Sequence, residues 1–462
     1  MQLRTYTYFA LPPPNAPRLS LLVDKCISMN QLKQVHAQMI ISARIFDNFA
    51  ASRLICFCAL SQAGDLNYAF RIFGSTCHPN SFMYNTLIRA LASGPNPLEG
   101  LLLFIDMRRL NVVPGKHTFP FLLKACSNSH SLLHCKQVHT QILKFGLDID
   151  LHVINGLVRG YSVSNNLVEA RFLFDEFPEK NLSLWTTIIS AYAQSYCSNE
   201  ALMLFNQMIA QGFEPNGATL ASVLSACARA GCLDLGERIH EFMKNKGIEV
   251  GVILGTALVY MYAKNGAIMK AQKVFENMLE RNIATWNAMI CGLAACGHAE
   301  DSLILFQKLT KEQLVPNDVT FIGVLSACCH AGLLDVGCDI FHSMKPIYGI
   351  EPNIEHYGCV IDLLGRGGKL LEAEELVKEM PWKADVVILG ALLAATKNTG
   401  NTKLAERVVK EILALEPHNH GVHVALSNMY AEAGQWQEVL RLRKMMKEER
   451  LKKAPGWSLV DT

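Results

Sequence analysis

Apolar residues recur along this chain at the spacing of one face of an α-helix. Ala201, Leu204, Phe205 and Met208 stand at i, i+3, i+4 and i+7. Ala170, Leu173, Phe174 and Phe177 repeat the pattern, and so do Ala271, Val274, Phe275 and Met278. Turn signals separate such stripes, as in Gly212-Phe213-Glu214-Pro215-Asn216. A proline there ends a helix, because it lacks an N–H and crowds the preceding turn. The pattern predicts short paired helices from one end of the chain to the other.

The pairs are copies of one another. Tyr84-Asn85-Thr86-Leu87-Ile88 returns as Trp185-Thr186-Thr187-Ile188-Ile189 and as Trp286-Asn287-Ala288-Met289-Ile290, 101 residues apart each time. Pro114, Pro215 and Pro316 keep that spacing, as do His139 and His240. Each block of 101 divides into two-helix units of 35, 35 and 31 residues. One such unit cannot bury its stripe alone. Stacked units can, and they form a superhelix with a long concave groove. Cys126, Cys227 and Cys328 also keep the 101 spacing, and they read as small packing residues rather than metal ligands.

Composition narrows the function. The chain is 50% hydrophobic and 18% charged, which suits units that each bury two faces. With 43 basic and 41 acidic residues the formal charge is +2, so no global basic field holds nucleic acid. Any such affinity comes from a local groove and from contacts with bases. The longest apolar stretch, Val386 to Ala395, falls short of the about 20 residues that a membrane span needs. The fifteen cysteines include no C-x-x-C pair, and the length argues against a secreted disulfide scaffold. Residues 1–15 hold Arg4, Thr5, Thr7 and a Pro12-Pro13-Pro14 run, with no acidic residue before Asp24. They read as an organelle transit segment or as a disordered start.

The period, the Tyr/Trp-Asn/Thr helix starts and the Ala201-Leu202-Met203-Leu204-Phe205 helix resemble the plant pentatricopeptide repeat proteins. The alternation of 35, 35 and 31 resembles their P, L and S classes. The resemblance runs from about Ala16 to Lys453 and implies an all-α, right-handed superhelical solenoid of helix-turn-helix repeats. It places P, L and S repeats over 16–385 and an E1/E2 extension over 386–453. The extension rests on Gly390-Ala391-Leu392-Leu393 and Leu426-Ser427-Asn428-Met429-Tyr430. Leu389 stands where that family usually has tryptophan, and the end reads Pro455-Gly456-Trp457-Ser458-Leu459 rather than P-G-C-S-W. Against that pattern we expect a truncated tail over 454–462 without the family's deaminase domain.

The resemblance also implies that each repeat reads one base with its fifth and its last residue, while the second packs on the base face. The expected reading pairs are Ser52 with Asn80, Asn85 with Gly115, Asn155 with Asn181, Thr186 with Asn216, Thr256 with Asn282, and Asn287 with Asn317. Ser or Thr with Asn implies adenine, and Asn with Asn a pyrimidine. The L units offer Pro120, Ala221 and Ile322 at the fifth place, which cannot hydrogen-bond a base edge. The implied order is A-Y-n-Y-A-n-A-Y.

Catalytic motifs fail. His298-Ala299-Glu300 matches the H-x-E of zinc deaminases, but the P-C-x-x-C that would supply two thiolates is missing. The run from Arg441 to Lys453 reads as a solvated helix face. No catalytic residue, metal, cofactor, membrane or small-molecule substrate is expected. The expected role is a sequence-specific binder of single-stranded organelle RNA, mitochondrial with the chloroplast as alternative. It would be a site-recognition factor for C-to-U editing that recruits, in trans, a deaminase-bearing pentatricopeptide repeat protein or other editing factors. The rivals are an organelle RNA splicing or stability factor and a helical-repeat scaffold for proteins.

Overall fold

Many helices in this chain start where a side-chain oxygen can receive a stranded backbone N–H. Asn80, Asn181, Asn282, Asn317, Asn353 and Asp385 each occupy the N-cap of a helix and accept from its first turn. At Gly115 no such side chain exists, and the helix begins only at Thr118. The computed structural model describes residues 19–42, 47–195, 197–419 and 421–448, and every regular element among them is an α-helix. The 1–15 segment, residues 449–453 of the extension and the 454–462 tail lie outside the described residues.

Many of the described helices stop on a residue with positive φ. The helix Ser198–Ala210 ends at Gly212, whose φ is 83°, and the Phe213 N–H turns back to the Met208 carbonyl at 3.2 Å. This corrects the expectation that Pro215 ends it: the chain has already left the helix three residues earlier. Asn111, Asn165 and Gln313 take the same left-handed turn at 56°, 63° and 58°.

The chain forms two compact units, one up to Val223 and one from Leu224. In the first, the helices Ser81–Ala92, Thr118–Asn128, Leu151–Val163 and Leu182–Gln194 stack successively as one layer. The helices Glu99–Arg109, Leu132–Lys144 and Leu167–Glu176 pair with the first three as a second layer. The second unit repeats the arrangement through Val252–Lys264, Ile283–Ala295, Asp318–Ala331, Ile354–Arg366 and Val386–Thr399. Helices Thr402–Leu415, Gly421–Glu432 and Trp436–Glu448 then continue the pairing.

Contacts between repeats recur with the sequence. Phe73 meets Tyr84 edge-on at 4.9 Å, Phe174 meets Trp185 at 4.8 Å, and Phe275 meets Trp286 at 5.0 Å. His139 and His240 hydrogen-bond the Tyr161 and Tyr262 hydroxyls at 2.9 and 2.8 Å. Burial pushes His240 down to about 4, so it is neutral at pH 7. Cys126, Cys227 and Cys328 are fully buried, and burial pushes all three thiols up, to about 12, 12 and 11. They are packing groups, not nucleophiles.

Successive helices within a layer approach closely where side chains are smallest. A Cβ built on Gly292 would collide with the Ala263 Cβ of the neighbouring repeat. We therefore expect Gly292→Val to destabilise the protein by about 1–3 kcal/mol. Urea denaturation checks this, with an unchanged midpoint contradicting the packing.

Candidate nucleic-acid interface

One hydrogen-bonded network recurs at the repeat boundaries, and it contains three of the six expected reading pairs. At Asn282 the backbone is extended, with φ −100° and ψ 174°. Its Oδ1 accepts from the Thr285 N–H and hydroxyl, both at 3.0 Å, and the Asn282 N–H donates to Thr285 Oγ1 at 3.3 Å. This is a capping box, with Thr285 fully buried. The Thr285 Oγ1 also lies 2.7 Å from the Thr256 Oγ1, across the repeat boundary. Thr256 donates its own proton to the Val252 carbonyl at 2.7 Å. A hydroxyl has one proton, so Thr256 offers other groups only lone pairs, and the single Thr285 proton is shared between the Thr256 hydroxyl oxygen and Asn282 Oδ1.

The same three parts meet twice more. Thr186 Oγ1 lies 2.8 Å from Thr219 Oγ1, and Asn216 Oδ1 accepts from the Thr219 N–H and hydroxyl at 2.9 and 3.0 Å. Thr186 likewise donates to the Leu182 carbonyl, at 2.8 Å. In the third case Asn287 Nδ2 donates to Asn317 Oδ1 at 2.8 Å, and the Thr320 hydroxyl donates to Asn287 Oδ1 at 2.7 Å. Asn317 caps Thr320 N–H at 3.2 Å. In each cap only oxygen can receive a backbone N–H, so the amide faces its oxygen to the helix and keeps Nδ2 as a donor.

Three expected pairs depart from this. Asn80 Nδ2 reaches Ser52 Oγ at a long 3.4 Å. Asn155 does not join Asn181. It donates to Ser183 Oγ at 2.8 Å and accepts from Thr187 Oγ1 at 2.7 Å, while Asn181 caps Leu184 N–H at 2.9 Å. Asn85 faces a repeat end without a side chain, Gly115, and its buried Oδ1 has no hydrogen-bond partner.

Around these residues the surface is suited to a chain of bases. Phe49, Phe82, Ile253 and Val319 hold the second place of their repeats and are about half exposed or more. Arg89, Lys124 and Arg159 are exposed and stand 35 residues apart, each one helical turn after a fifth-place residue. Sequence reading passed over this basic row, although its spacing was visible. A cleft of about 460 Å³ brings Arg159 together with Thr186, Thr187, Ser190 and Gln194. His298 of the H-x-E motif is an N-cap residue whose Nδ1 lies 3.7 Å from Asp301. Among the described residues no cluster of His, Cys, Asp and Glu could hold a metal.

The repeats match known sequences. Residues 180–229 and 281–330 match the PPR repeat family, and residues 238–298 match the pentatricopeptide repeat domain. A pentatricopeptide repeat-containing protein of Arabidopsis thaliana is 40% identical over 94% of this chain and 88% of its own length. This chain belongs to the pentatricopeptide repeat family. A second Arabidopsis pentatricopeptide repeat protein, named as chloroplastic/mitochondrial, is 38% identical over 98% of this chain and 75% of its own. Residues 400–461 match the E motif, which places the chain among the plant pentatricopeptide repeat proteins of the E subgroup. Pentatricopeptide repeat protein PPR10 from maize shares the fold, with TM-score 0.54 and 18% identity over 94% of this chain and 74% of that one. PPR10 in complex with an 18-nt psaJ RNA element aligns with TM-score 0.51 and 17% identity, over 94% and 69%.

The capping role has its own test. Asn282→Ala should lower the free energy of unfolding by about 1 kcal/mol. Asn282→Asp, which keeps the acceptor, should lower it less. Equal losses in urea titrations would contradict the cap.

Proposed function

We propose that this protein binds single-stranded RNA base by base and marks a cytidine of an organelle transcript for C-to-U editing. The recurring boundary network carries the reading. At Thr256 and Asn282 it leaves a lone pair on one side chain and an N–H donor on the next. An adenine edge presents the complement, an amino donor beside a ring nitrogen acceptor. Thr186 with Asn216 offers the same pair of groups. Apolar residues at the second place supply stacking surfaces, and the row Arg89, Lys124 and Arg159 supplies charge for phosphates.

The family supports RNA as the ligand, since PPR10 has been seen in complex with RNA. The E motif supports editing, and in this reading residues 386–453 recruit a deaminase carried by another polypeptide. The name of one relative, chloroplastic/mitochondrial, supports an organelle as the site of action. The repeat span 16–385 would hold the RNA upstream of the target.

Sequencing of mitochondrial and plastid transcripts from a plant lacking the gene tests the proposal. We expect one or a few cytidines to lose editing, with upstream bases in the order A-Y-n-Y-A-n-A-Y. Full editing at every site together with a retained intron or a depleted transcript would overturn the editing role in favour of splicing or protection.

A further inference from the structure

The threonine at the third position of the following repeat belongs to no expected reading pair. Yet it touches both members of three pairs. Thr219, Thr285 and Thr320 are fully buried, and each bonds the fifth residue of one repeat and the last residue that ends it. A threonine needed only for the capping box would follow every repeat that ends in a capping side chain. It does not. It follows four of the six repeats with a polar fifth residue: Asn85, Thr186, Thr256 and Asn287, which precede Thr118, Thr219, Thr285 and Thr320. After the apolar fifth residues Pro120, Ala221 and Ile322 the same place holds Val153, Leu254 and His356.

The exceptions serve as internal controls. Where Met83 and Leu184 take the place, the pair is loose or apart. Asn80 lies 3.4 Å from Ser52, and Asn155 bonds Ser183 and Thr187 instead of Asn181. Where the threonine is present but the asparagine is not, the network also fails. Thr118 Oγ1 receives the Gly115 N–H at 3.1 Å, as in a capping box, yet Asn85 Oδ1 stays unpartnered.

We propose that these buried threonines are positioning residues that set base specificity. The hydroxyl ties the two reading side chains across the repeat boundary, so that they meet a base as one preset donor and acceptor pair rather than as two independent rotors. The role rests on the base-reading function proposed above. It implies unequal repeats: those ending at Asn216, Asn282 and Asn317 discriminate strongly, and those ending at Asn80, Gly115 and Asn181 weakly.

The test uses the full chain and four oligoribonucleotides that differ only in the base opposite Thr256 and Asn282, with binding followed by fluorescence anisotropy. Loss of one neutral hydrogen bond corresponds to about tenfold at most. Thr285→Val should flatten the preference for adenine by about that factor while the protein's melting temperature drops only modestly. Thr285→Ser, which keeps the hydroxyl, should restore the preference. A second variant works in the opposite sense. A Cβ at Gly115 meets nothing within 4 Å, so Gly115→Asn can complete the network with Thr118 and Asn85. It should strengthen the pyrimidine preference at that repeat, and Gly115→Asn combined with Thr118→Val should not. Unchanged preference in Thr285→Val, beside clear preference in the unmodified protein, overturns the positioning role alone. No preference for any base in the unmodified protein overturns the base-reading function and this role with it.

Discussion

The side-chain oxygen of an asparagine, placed just before a helix, takes the N–H that the helix itself cannot satisfy. Much of this structure depends on that contact. Asn181, Asn282 and Asn317 fix where their helices begin, and thereby which residue falls at the fifth place of the repeat. Capping also orients the amide. With oxygen committed to the backbone, the NH₂ group is the part left for a partner. In the proposed function stability and recognition thus share one residue.

The stacking of repeats makes this arrangement repeat in space. The aromatic contacts Phe73–Tyr84, Phe174–Trp185 and Phe275–Trp286 set one hairpin against the next with ring spacings between 4.8 and 5.0 Å. Uncharged groups complete the boundary, including half-buried, neutral His240 and the buried, protonated thiol of Cys227. Each hairpin contacts its neighbours, so each reading pair is built from two consecutive repeats.

Much of this was legible in the sequence. Apolar stripes at helical spacing, together with Asn or Asp before them, mark the hairpins because burial and capping are local demands. The stop at Gly212 was misassigned to Pro215, since a left-handed residue followed by an extended chain looks like a proline turn from sequence alone. The delayed start at Thr118 follows from a missing side chain at Gly115 and could have been read. The partners of Asn155 could not. Ser183 and Thr187 lie 28 and 32 residues away, and only the rotation of one helix on the next brings them within reach. The threonine hydroxyls escaped for the same reason, because their role exists only where two repeats meet.

A crystal structure of the chain bound to an RNA of the deduced order tests the central claim most directly. The account predicts that Nδ2 of Asn216, Asn282 and Asn317 each lies within about 3 Å of a base-edge acceptor. It also predicts that their Oδ1 atoms still hold the N–H groups of Thr219, Thr285 and Thr320. Bases turned away from these amides, with only phosphates against Arg89, Lys124 and Arg159, would contradict it.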